Sequence, residues 1–450
     1  MKLSGLPERA WLLPLIAFTL YGRHLGDGLL SDDFLYALWL DDGPGQLLRK
    51  VIVDSDPRMI RPLPMAGFLL GASFGTALQH GLSILLHGLN AVLVSLLAER
   101  RGPGVGILAG LLFVTFPLFV EPVVWLSAAF DLWATFFALL ALWLAGRGTA
   151  LPALLCFAAG LLCKESILLL PLVLALPGGR RAWRPALVLG AGAGIYLGAR
   201  WALFSGPGGY LDASGRSLAW KLDPALFLRN IGLEVPYRAL TAIKQGAGAD
   251  PWAWTLAAAA AGTALLLVHA ARPWRRARAV AVALTAYAVA FAPAAPVFGL
   301  SPDHEGSRML YFPIAVFCVA AAGALEPRRR LRPLGWTLAL LWSLAVLYNG
   351  ASYEAASREM RLTLAGLEAA QDRLQAGDTV WIHSHDTLGG AFVFRNAVYA
   401  AARYQGLRPD VEWRLAPPLD GPGSGDSGGP TYRATPDLDR LIWRPPLPEP

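Results

Sequence analysis

The sequence predicts an α-helical polytopic membrane protein of about 11 transmembrane helices. Juxtamembrane helices are expected in its first outer loop, and a small α/β domain at its C-terminal end. Three observations carry this. The 450 residues are 55% hydrophobic and only 16% charged, with a mean hydropathy of +0.45, too apolar for a soluble chain of this length. Apolar runs of spanning length recur along the whole first part. Arginines fall in alternate loops between them.

The runs lie at about 10–25, 79–98, 104–121, 123–145, 150–163, 166–178, 185–203, 251–271, 279–299, 309–325 and 333–350. A span needs about 20 residues; the first, fifth and sixth runs are short and need tilt or shielding by neighbours. The N-terminus has a basic flank and an apolar core, as a signal peptide does. No small-x-small cleavage site follows it, so it is expected to remain as the first span. With Lys2 and Arg9 on the cytoplasmic side, the inward loops hold Arg100-Arg101, Arg147, Arg180-Arg181 with Arg184, the 272–278 cluster and the 328–332 cluster. Every short inward loop then carries arginine, as the positive-inside rule requires.

This threading fixes two long outer loops. Residues 26–78 must stay on one side although the stretch from Arg61 to Gly75 is apolar. That stretch is expected as a helix lying in the interface, since counting it as a span would invert every later loop. Residues 204–250 hold a second stretch of helical apolar spacing, LDPALFLRNIGLEVPYRALTAIKQ. The membrane domain is thus expected over 1–350.

Residues 351–450 are expected as an extracytoplasmic domain. They begin with a polar helix, followed by a strand at 379–383, a helix from about 390 to 404 and a strand at 411–415, a βαβ order. The run at 421–430, GPGSGDSGGP, is expected as a flexible tail segment.

The net charge of +7 belongs to the cytoplasmic loops and does not imply a nucleic-acid partner. No basic cluster is interleaved with aromatics as a nucleic-acid groove requires. Cys156, Cys163 and Cys318 all lie in apolar runs, which argues against a disulfide framework or a cysteine metal site.

The polar residues that interrupt this apolar chain are the candidates for chemistry. The acidic pair Asp32-Asp33 sits in the first outer loop, at the start of an interfacial helix. Ser31 capping that helix, with carboxylates favouring its N-terminal end, explains the pair as well as catalysis does. Arg61, which opens the Arg61-Pro62-Leu63 segment, is a forked donor suited to phosphate or a snorkelling anchor. His80 and His87 share a face of the second run, with Asn90 one turn on; they are interhelical hydrogen-bonding groups or functional ones. Glu121 and Asp131 flank the turn between the third and fourth runs. Lys164-Glu165 forms the next outer turn, as a surface ion pair or as part of a site. Arg200 ends the seventh run, and His304, Arg308 and Tyr311 lie in and after a late outer loop. Nearly all of these gather on the outer side. A transporter would place them near the midplane, on broken helices, and a channel would repeat a polar stripe along several spans. In the C-terminal domain, strand alternation puts His383 and His385 on one face, with no third ligand to complete a metal site.

In order and sidedness these elements resemble the integral-membrane glycosyltransferases of the GT-C superfamily, which includes protein O-mannosyltransferases and lipid A aminoarabinose transferases. Asp32-Asp33 is similar to the catalytic carboxylate motif of the first outer loop, and Arg61-Pro62-Leu63 to the basic-Pro element that contacts the donor phosphate. HGLSILLHGLN, 80–90, and the run from Pro117 through Glu121-Pro122 and Trp125 to Asp131 resemble a bacterial, TMTC-like branch. That branch often has an arginine just before the aspartate, where this chain has Ala129-Phe130. Arg308-Met309-Leu310-Tyr311 resembles a late Arg-x-Leu-Tyr element, and GGAFVFRNAVYAA, 389–401, an appended C-terminal segment.

The resemblance implies a bacterial inner-membrane enzyme with a cytoplasmic N-terminus. Its donor would be a polyprenyl-phosphate sugar at the outer face, and its acceptor a hydroxyl of a glycan, lipid or protein. Asp32 and Asp33 would be the catalytic carboxylates, and Arg61, Arg308, Arg200 and Lys164 would bind the donor phosphate. His80, His87, Glu121, Asp131, Glu165, His304 and Tyr311 would line the pocket. No cofactor is required, though this many carboxylates is compatible with a divalent metal. The alternatives are a transporter or flippase of lipid-linked sugar, and a membrane scaffold with a degenerate site.

Overall fold

The computed structural model describes residues 9–41, 49–50, 59–100, 104–210, 217–218, 221, 223–244, 274–325, 332–395, 397–416, 431–434 and 442–444. The 251–271 run, the 421–430 segment and several loop arginines expected from the sequence lie outside these residues.

Among the described residues, four helices are long and apolar enough to cross a membrane: Thr76–Glu99, Leu126–Ala145, Ala182–Phe204 and Pro333–Arg373. A fifth arises if the bent pair Val105–Val114 and Pro117–Val124 is one span. The 104–121 run is therefore not one straight helix. It stops at Val114, and Pro117 opens a new turn that leaves at 47°, because proline cannot donate to the preceding turn. Shorter apolar helices fill the remaining runs: Leu12–Tyr21, Ala150–Leu161, Glu165–Leu176, Ala281–Phe291 and Ser307–Val319. The chain is thus a helical protein with several membrane-compatible helices.

Residues 76–204 shuttle between two ends. At one end Arg100 donates to the Trp143 carbonyl at 2.9 Å, and the Arg147 guanidinium lies 3.8 Å over the Trp143 ring. At the other end lie Glu121, Asp131, Lys164 and Arg200. Helical backbone runs through Leu170–Phe204, 35 residues, roughly 50 Å if straight. Yet Arg200 comes within 3.8 Å of Glu165, so the run folds back between its two apolar stretches, Glu165–Leu176 and Ala182–Phe204. The stretches expected as the short sixth span, 166–178, and the seventh, 185–203, form the arms of this helical hairpin.

Close approach is bought with small residues. A Cβ on Gly88 would meet Pro14 Cα at 2.5 Å, so glycine lets the Leu12–Tyr21 helix seat against Thr76–Glu99. Ala134, Ala138, Ala141, Ala145 and Ala153 do the same in a second core around Phe157 and Leu189. Gly75, at φ 98, breaks the chain between Pro62–Phe74 and Thr76–Glu99. The first stretch expected to lie in an interface is helical over Pro62–Phe74 and exposes Leu63, Leu70 and Phe74. The second such stretch is helical over Pro224–Arg229, Asn230–Glu234 and Val235–Thr241. The Asp223 carboxylate caps it, accepting from Ala225 and Leu226 N–H.

The last span does not end at 350. One helix, Arg332–Ala370, runs 39 residues straight through the expected domain boundary. Its C-terminal half carries the C-terminal sheet, with Met360, Leu364 and Leu367 packing in one core with Val380 and Ile382. The strands are β1 Thr379–His383, β2 Thr387–Leu388, β3 Ala391–Phe392, β4 Glu412–Ala416, β5 Thr431–Ala434 and β6 Ile442–Arg444. They form a sheet of order β4-β1-β5-β6, in which β1 pairs parallel with β4 and β5. The βαβ order is present, but the intervening helix is only Val398–Tyr404, preceded by the β2–β3 hairpin. This unit is not a loose appendage. The Ser31 N–H donates to the Val393 carbonyl at 2.9 Å, and Gly28 N–H to Ser357 Oγ at 2.8 Å.

Candidate functional site

The Asp32–Ala37 helix begins with two carboxylates in very different surroundings. Asp33 is buried. Its Oδ1 accepts from the Ser127 N–H at 2.8 Å and from the Ser127 hydroxyl, and its Oδ2 from the Leu30 N–H at 3.0 Å. Ser31 makes no capping bond, contrary to expectation; its φ of 47° puts it outside helical geometry. The short helix is held instead by Asp33, which clamps it to the Leu126–Ala128 turn. Burial pushes Asp33 up to about 7, against the lowering effect of the Ser127 and Leu30 bonds. Asp32 is half-buried and accepts only from the Ser31 hydroxyl, at 3.4 Å. Burial raises it too, opposed by the charges of Arg308 and Arg395.

Asp33→Asn is therefore expected to destabilise the fold by about 1–3 kcal/mol, the cost of an unmet buried polar group. With its oxygen kept on Ser127, the amide nitrogen would face the Leu30 N–H, donor against donor. Thermal unfolding of the purified variant checks this, and an unchanged transition would refute the clamp.

Around the pair, residues scattered over nearly 250 positions converge. Arg61, buried, donates to Glu165 Oε1 at 2.8 Å, and Arg200 lies 3.8 Å from Glu165 Oε2. Burial alone would raise Glu165, but the Arg61 and Arg200 charges hold it down to about 2. Lys164 pairs with Asp131 at 2.5 Å rather than with its sequence neighbour Glu165. Arg61 and Arg308 are further charged neighbours of Asp131. Arg308 forms an ion pair with buried Glu121, whose Oε2 also accepts the Arg308 N–H at 2.9 Å and the Ser307 hydroxyl at 3.0 Å. The Arg308 guanidinium stacks 5.0 Å over Trp125.

Four cations, Arg61, Lys164, Arg200 and Arg308, interleave with the carboxylates Glu121, Asp131 and Glu165. Asp32, by contrast, has no ion-pair partner among the described residues. The arrangement offers a fixed cationic field beside a carboxylate whose oxygens are open.

Four expected pocket residues lie elsewhere. His87 is fully buried in an aromatic cluster with Phe113, Phe119 and Tyr311. Its Nε2–H donates to the Val114 carbonyl at 3.1 Å, which leaves Nδ1 to accept from the Tyr311 hydroxyl at 2.6 Å. Both side chains are satisfied core groups beneath the cluster. His80 is two turns away on the same helix, beside the buried His24–Asp27 pair. His304, at φ 71, is buried near Lys244 and Arg238; burial first, then those charges, hold it well below the ordinary histidine range.

Sequence reasoning missed Tyr36, Tyr210 and Arg395. Tyr36 and Tyr210 are electrostatic neighbours of Arg61. Arg395 lies in the 389–401 run, at φ 41, with its guanidinium 4.2 Å over Phe392 and bonded to Glu305 at 3.1 Å. No group of three or more His, Cys, Asp or Glu side chains able to hold a metal ion occurs among the described residues. In the C-terminal unit, His385 bonds to Glu359 at 3.0 Å.

Compared with protein-family models, curated proteins and solved structures, the chain gives no match in any of the three. A functional reading therefore rests on the motifs and on this geometry.

Proposed function

We propose that the chain is an integral-membrane glycosyltransferase of the GT-C type. It would move a sugar from a polyprenyl-phosphate donor to an acceptor hydroxyl at the outer face of a bacterial inner membrane. The observation that carries the reading is Asp32, the open carboxylate among engaged ones, set beside the buried cations Arg61, Lys164 and Arg308. A lipid phosphodiester brings negative charge that such cations would meet.

In this reading the membrane part has about 11 spans and the cytoplasm lies at the Arg100–Arg147 end. Asp32 takes the proton of the acceptor hydroxyl as its oxygen attacks the anomeric carbon. The new bond from oxygen to the anomeric carbon forms while the bond from that carbon to the phosphate oxygen breaks, with inversion. Negative charge grows on the departing polyprenyl phosphate, where Arg61 and Arg308 are the best placed fixed cations. Arg200, already bonded to the Pro207 carbonyl at 2.6 Å and the Tyr196 hydroxyl at 3.0 Å, positions Glu165 and through it Arg61. Lys164 keeps Asp131 neutralised while two of its three protons remain for phosphate. Asp33 supports Asp32 by holding the helix, not by chemistry.

The test is release of polyprenyl phosphate in proteoliposomes. The donors are polyprenyl-phosphate hexose, hexosamine and aminoarabinose, and an envelope extract supplies acceptors. Donor consumption dependent on both the protein and the extract is expected. Movement of intact donor across the bilayer without release would favour a flippase, and inertness toward every donor would sink the enzymatic reading.

A further inference from the structure

An open cavity of about 670 Å³ is lined by Lys244, Asp303, Glu305, Tyr348, Ser352 and Gly389. The 301–305 loop, the Lys244 segment, the outer part of the Arg332–Ala370 helix and the β2–β3 hairpin enclose it. The hairpin reaches the loop because Gly389 and Gly390 occupy positive φ, and a Cβ on Gly390 would clash with the Asp303 carbonyl oxygen. The C-terminal unit thus supplies one wall.

The lining is polar in a particular way. Lys244 Nζ donates to Ser352 Oγ at 2.8 Å and to the Gly389 carbonyl at 2.7 Å, which leaves one of its three protons. No carboxylate lies within ion-pair distance of it among the described residues. Asp303 accepts through Oδ1, from the Ser301 hydroxyl and the Glu305 N–H. Glu305 accepts from Arg395 through Oε1. The second oxygen of each carboxylate has no bonded partner among the described residues. Tyr348, 63% exposed, presents its ring at the rim.

These groups discriminate between ligand classes. A phosphorylated or acidic ligand would find no net positive charge, since Asp303 and Glu305 offset Lys244 and Arg395. An acyl chain would leave all of these polar groups unmet, at a cost for each. A neutral polyol meets each of them: its hydroxyls donate to Asp303 and Glu305 and accept from Lys244, while the C–H face of a pyranose packs on Tyr348. The cavity is linked to the base through Arg395. Arg395, bonded to Glu305 at its rim, acts electrostatically on Asp32, as Arg308 of the cationic cluster does. Asp32 therefore lies in the field of both.

We infer that this cavity holds the acceptor, and that the acceptor is a neutral saccharide chain. The assignment of acceptor rests on the transferase reading, whereas saccharide binding in the cavity does not. Saturation-transfer NMR on the detergent-solubilised full chain, with maltose, mannobiose, chitobiose and galactobiose as probes, tests it. Transfer to at least one disaccharide is expected. Tyr348→Ala and Asp303→Asn should each weaken that binding roughly tenfold, the loss of one good contact. Tyr348 is exposed, so its variant should keep the wild-type unfolding transition and report on binding alone. Absence of transfer to all four sugars overturns the inference, as does binding unchanged in both cavity variants. If sugar binds and is lost as expected while no lipid donor is consumed, the cavity stands and the transferase reading fails. If donor is consumed but only a protein or lipid hydroxyl accepts, the reverse holds.

Discussion

Asp32→Asn is expected to lower glycosyl transfer by about 10²–10⁴-fold, the usual contribution of a positioned base, while the unfolding transition stays within about 0.5 kcal/mol of wild type. The two outcomes are tied together by the geometry. Asp32 accepts one long bond from Ser31 and is half-buried, so an amide replaces it with no buried donor left unmet. An amide cannot take the acceptor proton. Asp33→Asn should show the opposite pattern, a damaged fold with residual activity in the folded fraction. The pH profile adds a sign. Asp32 must be ionised to act as base, so activity rises with pH through its pKa, which burial places above the ordinary carboxylate value of about 4. Arg395 lowers that pKa, so Arg395→Gln should move the acid limb to higher pH. An Asp32→Asn enzyme with near-normal turnover, or an acid limb indifferent to Arg395, would remove Asp32 from the role.

What could be read from the sequence was mostly sidedness. Alternating arginines identify which loops share an end, and the structure does place Glu121, Asp131, Lys164, Glu165 and Arg200 together. The helix that Arg61-Pro62 opens was legible as well, since proline fixes a helix start. Pairing was not legible. Adjacent Lys164 and Glu165 look like partners, yet each turns to a different helix. Nor could the acidic pair be resolved into clamp and open carboxylate, because the deciding contact is Ser127, 94 positions away. His80 and His87 share a helix face, but seven residues are roughly 10 Å of rise, enough to separate a His24–Asp27 neighbour from an aromatic core. Lys244 and Arg395 carried no periodic signal; only the packing of the C-terminal hairpin against the outer loop gives them a place.

Arg308→Met is expected to destabilise the protein by about 3–5 kcal/mol, the cost of leaving a buried charge without its partner. Glu121 is 2% exposed and keeps only the Ser307 hydroxyl and the residue 308 N–H once the guanidinium is gone. The paired variant Glu121→Gln/Arg308→Met should recover most of that loss, because a neutral amide oxygen still accepts those two donors and no ion remains to be solvated. Unfolding in micelles measures both. A single variant that loses less than about 1 kcal/mol, or a double variant that recovers nothing, would refute the pairing as drawn. Activity then separates structure from chemistry. If Arg308 only held the 307–310 turn, the rescued double variant would regain transfer along with stability. If its charge also steadies the departing phosphate, stability should return while transfer stays about 10²-fold or more below wild type, as for loss of one preorganised transition-state contact. Arg308→Lys should fall between, since a point charge keeps the sign but loses the fork that spans Glu121 and phosphate together.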